Sequence, residues 1–272
     1  MAGNYDIDKI LEGQDLFLIA GPCVIESEEV CFNVAAKLRE LSDKYKIPVI
    51  FKSSYSKANR LSGESFSGHG IEFGLEVLRR VGNEFGFPLL TDVHETIEVR
   101  LAAEVVDIVQ IPAFLCRQTE LVREAAATGK WVNIKKGQFL SPDDMDKIAA
   151  KARSGKVILT ERGSSFGYHN LVVDFRSLII MKKFGFPVVF DATHSLQLPG
   201  GGGSFSSGQP QFVIPFARAA VAIGVDGLYV ETHPEPEKAL SDAAAMLPLE
   251  SMEKLITDVL KVRESLKSKY NG

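Results

Sequence analysis

The feature that most constrains the chain is an alternation running from one end to the other, in which short β-branched apolar runs are separated by longer stretches of helical period. Eight such runs occur, at 16–20, 49–51, 89–91, 108–111, 131–134, 157–160, 188–190 and 228–230. Between them, helices are expected at 27–45, 72–85, 96–105, 117–128, 142–153, 171–184, 211–223 and 249–266. In the first of these, Ser27 suits the cap, Glu28 and Glu29 suit the positive helix end, and Val30, Val34, Leu38, Leu41 and Tyr45 share one face. Repeated βα units imply a parallel sheet. Eight of them in 272 residues match a single (β/α)8 TIM barrel, a fold of ~250 residues. The competing open doubly wound sheet carries a glycine-rich phosphate turn after its first strand, which Gly21-Pro22-Cys23 does not provide. The whole chain, 1–272, is therefore read as one α/β barrel domain.

Composition excludes several classes. With 31 Lys+Arg against 35 Asp+Glu the net charge is −4, and no long basic run offers a footprint for nucleic acid or an anionic membrane. No segment approaches the ~20 apolar residues of a membrane span, and the first eleven residues lack a signal-peptide profile. Three cysteines, Cys23, Cys31 and Cys116, do not suggest a disulfide framework. A cytoplasmic location is the expectation.

In a barrel the chemistry sits where strands end. The residues there are Cys23, Lys52, Asp92, Gln110, Lys135 with Lys136, Glu161 with Arg162, Asp191 with His194, and Glu231 with His233. A strand leaving the core must become polar, but that alone does not select Cys, Lys, Asp, Arg, His and Glu. Lys52, Lys57, Arg60, Arg117, Lys135, Lys136 and Arg162 form a cationic group suited to phosphates or carboxylates. Of these, Arg117 and one of the Lys135/Lys136 pair are expected at the solvated surface, because neighbours on a strand point to opposite sides. Cys23, His194, Glu231 and Asp242 come from consecutive units of a closed barrel and suit a borderline divalent ion such as zinc, iron(II) or manganese. Taken alone, Cys23 fits an ordinary semi-buried thiol better, and His194 could simply hydrogen-bond a loop. The glycine-rich stretch 198–208 reads either as a flexible loop or as a lid over the mouth.

Segments spread over nearly the whole chain carry a resemblance. They are GPCVIES (21–27), FKSSYSKANR (51–60), TDVHE (91–95), QIPAFLCRQ (110–118), NIKKGQF (133–139), ERGSSFGY (161–168), FDATHSLQ (190–197) and VETHPEP (230–236). Together they resemble the 3-deoxy-D-manno-octulosonate 8-phosphate synthases, transferases that condense phosphoenolpyruvate with D-arabinose 5-phosphate in making the inner sugar of lipopolysaccharide. Lys57-Ala58-Asn59-Arg60 is the most discriminating piece, since the sister heptulosonate 7-phosphate synthases, which use erythrose 4-phosphate, carry Lys-Pro-Arg-Thr there. The remoter alternatives are a metal-dependent aldolase of the lyase type and a non-catalytic sugar-phosphate-binding barrel.

The resemblance implies a homotetramer. It also implies that Lys57, Lys135 and Arg162 hold phosphoenolpyruvate, with Lys52 and Gln138 nearby. Asn59, Arg60 and Ser62 would take the arabinose phosphate, Arg60 and Ser62 crossing to a neighbouring subunit's site, while Asp92 and Phe114 line the sugar channel and Gln110 is a further substrate-binding residue. Cys23, where a metal-independent branch has Asn, implies the metal-dependent branch, with Cys23, His194, Glu231 and Asp242 as ligands. Lys57, Asp92, His194 and Cys23 are the residues expected nearest the chemistry.

Overall fold

The computed structural model describes residues 6–57, 67–200, 207–241 and 243–269. Eight parallel strands close on themselves: β1 (Phe17–Gly21), β2 (Val49–Lys52), β3 (Leu89–Asp92), β4 (Ile108–Ile111), β5 (Trp131–Lys135), β6 (Val157–Glu161), β7 (Val188–Asp191) and β8 (Gly227–His233). Closure comes from β1 pairing with β8 in the register Phe17↔Gly227 to Gly21↔Glu231. The expected barrel is thus the observed one. Around it lie α1 (Ile7–Glu12), α2 (Glu28–Tyr45), α3 (Ile71–Phe85), α4 (Thr96–Ala103), α5 (Thr119–Ala127), α6 (Met145–Ala150), α7 (Arg176–Lys182), α8 (Val213–Ile223) and α9 (Met252–Lys269).

The two faces of each strand explain the layers. Phe17, Ile19, Ile50, Leu90, Ile108, Trp131, Ile158, Val189 and Tyr229 point inward and form one apolar cluster. The alternate residues, such as Leu18, Val49, Phe51, Val109, Val132, Leu159, Phe190 and Val230, face the helices in a second, larger cluster. Helix α1, which periodicity does not suggest, plugs the N-terminal end of the barrel with Ile10 and Leu11. It is anchored there by Asp8, whose Oδ1 accepts from Trp131 Nε1 at 2.6 Å.

Several expected helices begin later than their periodicity suggests. The sharpest difference is at 171–184: Leu171–Val172 pairs antiparallel with Ser164–Ser165, and α7 starts only at Arg176. Gly163 and Gly167, at φ +89° and +68°, reverse the chain into this hairpin, and Asp174 Oδ1 then accepts Arg176 N at 3.0 Å to start the helix. Pro142–Asp144 and Pro210–Phe212 form short 3₁₀ turns ahead of α6 and α8. Of the glycine-rich stretch, 201–206 lies outside the described residues, while its ends are clipped together through Gln197↔Gly208 and Leu198↔Ser207. No helix among the described residues is long and apolar enough to cross a membrane.

Candidate active site

Most strands run one residue or more beyond the expected apolar run, so the charged residues belong to the sheet itself. By the same two-residue period that points Ile50, Leu90, Ile108, Trp131, Ile158, Val189 and Tyr229 inward, the barrel interior higher up receives Lys52, Asp92, Gln110, Asn133 with Lys135, Thr160, Asp191 and Glu231. All are buried. Each buried charge is answered by another, as burial requires. Lys52 Nζ donates to Glu231 Oε1 at 2.7 Å and to the Cys23 carbonyl at 2.9 Å. Lys135 Nζ donates to Asp191 Oδ2 at 2.7 Å and stands 3.7 Å above the Tyr229 ring centre. Gln110, Asn133 and Thr160 form a neutral hydrogen-bonded row, Asn133 Nδ2 donating to Gln110 Oε1 and Thr160 Oγ1 to Asn133 Oδ1. The expected cationic cluster is therefore interleaved with carboxylates.

Burial pushes the Lys135 ammonium below its usual range, and Asp191 and Glu231 only partly oppose it. Burial alone would raise the Glu231 carboxyl, but the nearby charges of His194, Lys52, Lys57 and Lys135 outweigh it and hold the group well below the usual carboxylate range. Asp92 behaves alike: burial is overcome by Lys57, His94 and Lys52. Its Oδ1 accepts from Ser54 Oγ, and its Oδ2 lies 3.2 Å from His94 Nε2. Burial would lower the His94 imidazolium, yet Asp92 and Glu98 hold it above its usual value.

His194 and Glu231 meet, Nε2 to Oε2, at 3.5 Å. The other ring nitrogen of His194, Nδ1, is 2.8 Å from Asp191 Oδ2, and Asp191 Oδ1 also accepts the His194 backbone N–H. This carboxylate–imidazole arrangement fixes the ring and aims Nε2 at Glu231. Glu231 Oε2 is buried and accepts no hydrogen bond among the described residues. Cys23, buried after β1, has its Sγ 2.9 Å from Ser241 Oγ, one residue before Asp242. Asp242 lies outside the described residues, and among those described no third donor joins His194 and Glu231 at ligating distance. A buried carboxylate oxygen without a donor, beside an oriented imidazole nitrogen, fits a divalent ion.

The remaining expected residues fall around this floor of charge. Arg162, buried just past β6, donates from Nη2 to Gln197 Oε1 at 2.7 Å. Gln138 is buried, and its Oε1 accepts no hydrogen bond among the described residues. Lys57 is half-buried and close enough to act on both Asp92 and Glu231. Phe114 stands on the turn after β4 with 57% of its surface exposed. Asn59, Arg60 and Ser62 lie outside the described residues. Arg117 is exposed as expected. Lys136 is not: the alternation of neighbours places one of the lysine pair in solvent, and Lys136 is instead wholly buried on the helix side of the sheet, 3.6 Å from Glu161. The reason is that Glu161, at the end of the neighbouring strand, points the same way and supplies its counter-charge. Sequence reasoning assigns no role to Tyr229, Ser54 or His94, and names Asp191 only as a strand end beside His194. The signal for Asp191 and His94 is their offset of three and two from His194 and Asp92 at strand ends.

A parallel (β/α)8 barrel with buried, paired charges at its C-terminal mouth defines an enzyme that handles small anions. Residues 4–268 match the model of the DAHP synthetase I family. The chain is 54% identical over 258 residues, 94% of both chains, to the 2-dehydro-3-deoxyphosphooctonate aldolase of Cyanothece sp.. It is 55% identical over 256 residues to the enzyme of that name from Dichelobacter nodosus, covering 93% of this chain and 91% of the relative. The same identity, 55%, holds over 255 residues for the one from Bordetella petrii, covering 90% of each. The chain belongs to the DAHP synthetase I family and, within it, to the 2-dehydro-3-deoxyphosphooctonate aldolases, the enzymes also called 3-deoxy-8-phosphooctulonate synthases. The resemblance read from its motifs is the one these relatives bear out, and the heptulosonate alternative corresponds to the wider family only.

Proposed function

We propose that the chain joins phosphoenolpyruvate to D-arabinose 5-phosphate and water, giving 3-deoxy-D-manno-octulosonate 8-phosphate and inorganic phosphate. The observation that carries this is the 54% identity to a phosphooctonate aldolase over 94% of the chain. Two polyanions must be held together against their repulsion, and preorganised cations in a water-poor site do this best. Lys57, Lys135 and Arg162 hold phosphoenolpyruvate, with Lys52 and Gln138 beside it. The depressed Lys135 ammonium supports this, because an arriving phosphate adds the negative charge that burial leaves lacking. Asn59, Arg60 and Ser62 take the arabinose phosphate, Arg60 and Ser62 reaching a neighbouring subunit of a homotetramer. Asp92 and Phe114 line the path of the sugar, and Gln110 is a further substrate-binding residue.

The aldehyde carbon of the sugar bonds to the enol methylene of phosphoenolpyruvate, leaving positive character on the former enol carbon. Water adds there and gives up a proton, and the resulting hemiketal phosphate breaks at its carbon–oxygen bond to release phosphate. Asp92 is held ionised by Ser54 and His94 with its carboxyl well below the usual range, which leaves it a weak base beside the substrate phosphate for taking that proton. Cys23, His194, Glu231 and Asp242 would hold a divalent ion, zinc, iron(II) or manganese, which when bound would act as a Lewis acid or orient water and aldehyde. The buried, undonated Glu231 Oε2 facing His194 supports this ligand set. The enzyme works in the cytoplasm.

Phosphate release measured with phosphoenolpyruvate and either arabinose 5-phosphate or erythrose 4-phosphate tests the proposal. Turnover with the pentose phosphate alone is expected, and preference for the tetrose would overturn it. Cys23→Ala is expected to lose bound metal by elemental analysis and most activity; full activity in chelator would sink the metal assignment.

A further inference from the structure

Lys136 and Glu161 are buried ions that the reaction does not use. They sit immediately next to two residues that it does, Lys135 and Arg162, but with opposite parity, on the helix-facing side of the sheet. Most contacts of the pair lead back to the mouth. Lys136 Nζ donates to the Leu140 carbonyl at 3.3 Å and to the Gly137 carbonyl at 3.4 Å, which bracket Gln138. It also donates to Ser164 Oγ at 3.1 Å, two residues past Arg162. Glu161 Oε1 accepts the Gly163 N–H at 2.7 Å, fixing the left-handed turn directly after Arg162, and Oε2 accepts from Ser177 Oγ at 2.7 Å on α7. One backbone bond, Ser165 N–H to the Gln138 carbonyl at 3.0 Å, joins the same two loops.

A buried lysine and glutamate cost desolvation that a well-packed apolar pair would avoid, so their contribution to stability alone is a weak reason for the arrangement. The ammonium instead makes hydrogen bonds to two loops that the sheet holds only at their roots. We infer that Lys136 and Glu161 are a positioning pair, which ties the β5 and β6 loops together from behind and so sets Gln138 and Arg162 at the spacing of one phosphoenolpyruvate. This rests on the reading that Lys135, Gln138 and Arg162 hold that substrate. Neither Lys136 nor Glu161 touches it.

The test is steady-state kinetics in both substrates for Lys136→Met, Glu161→Gln, the double variant and Arg162→Lys, with melting temperature measured for each. Lys136→Met is expected to raise KM for phosphoenolpyruvate about tenfold or more while KM for arabinose 5-phosphate moves less than about twofold. The double variant, which leaves no uncompensated buried charge, is expected to regain melting temperature but not the KM. Should Lys136→Met fail to fold, Ser164→Ala removes one tie without stranding a charge and is expected to raise the same KM about twofold to threefold. If Arg162→Lys raises that KM and the pair variants do not, or if they shift both KM values equally, the pair is structural only and the inference falls. If Arg162→Lys leaves it unchanged, the substrate assignment itself fails and takes the inference with it.

Discussion

The two ends of the barrel interior are built on the same strands and by the same two-residue period, yet they differ in kind. At the N-terminal end Phe17, Ile50, Leu90, Ile108 and Trp131 meet under Ile10 and Leu11 of α1, and every contact is apolar or a peripheral tie such as Trp131 to Asp8. At the C-terminal end Lys52, Asp92, Lys135, Asp191 and Glu231 occupy equivalent inward positions one step or two steps along. Ile50 and Lys52 are two residues apart on one face of β2. What changes between them is the work of the layer: the lower one stabilises by removing apolar surface from water, whereas the upper one holds desolvated charge in place at a cost that the lower one offsets.

That contrast can be broken from either side. The largest effect is expected at the mouth, where Lys135→Ala should lower kcat/KM for phosphoenolpyruvate by about 10²–10³-fold, measured by initial-rate phosphate release. A loss of less than tenfold would detach this lysine from the reaction. At the floor, Ile50→Ala should cost about 2–4 kcal/mol in urea unfolding and leave kcat within about twofold. An equal fall in kcat there would mean that the two layers are not separable. The smallest effect concerns pH. The folded Asp92 carboxyl titrates below its ordinary 3.8, so the stability it contributes is present above that value and is lost as pH falls through the folded one. Asp92→Asn should therefore make the acid limb of the melting curve shallower, by at most one proton or about 1.4 kcal/mol per pH unit, in calorimetry below about pH 4. An unchanged limb would place the acid sensitivity in other carboxylates.

The barrel and most of its mouth are legible in the sequence because strand ends in this fold carry the chemistry, and the residues there are of unmistakable type. Asp92, Lys135, Arg162, His194 and Glu231 can be read from the end of an apolar run without coordinates. Periodicity does not carry two-residue structure or side-chain direction beyond the sheet. Leu171 and Val172 fit a helical pattern with the residues of α7, and only the glycine turns before them fold them into a hairpin. Helix α1 is too short, at six residues, to register as a period, and its value lies in Ile10 and Leu11 meeting strands far away in sequence. Lys136 looks like the spare of a lysine pair because its partner, Glu161, is on a different strand, and a cross-strand pairing is invisible to a one-dimensional reading.

The apolar layer that α1 caps also makes the site one-sided. Because Phe17, Ile50, Leu90, Ile108 and Trp131 fill the barrel below it, Lys135 is reached from the mouth alone.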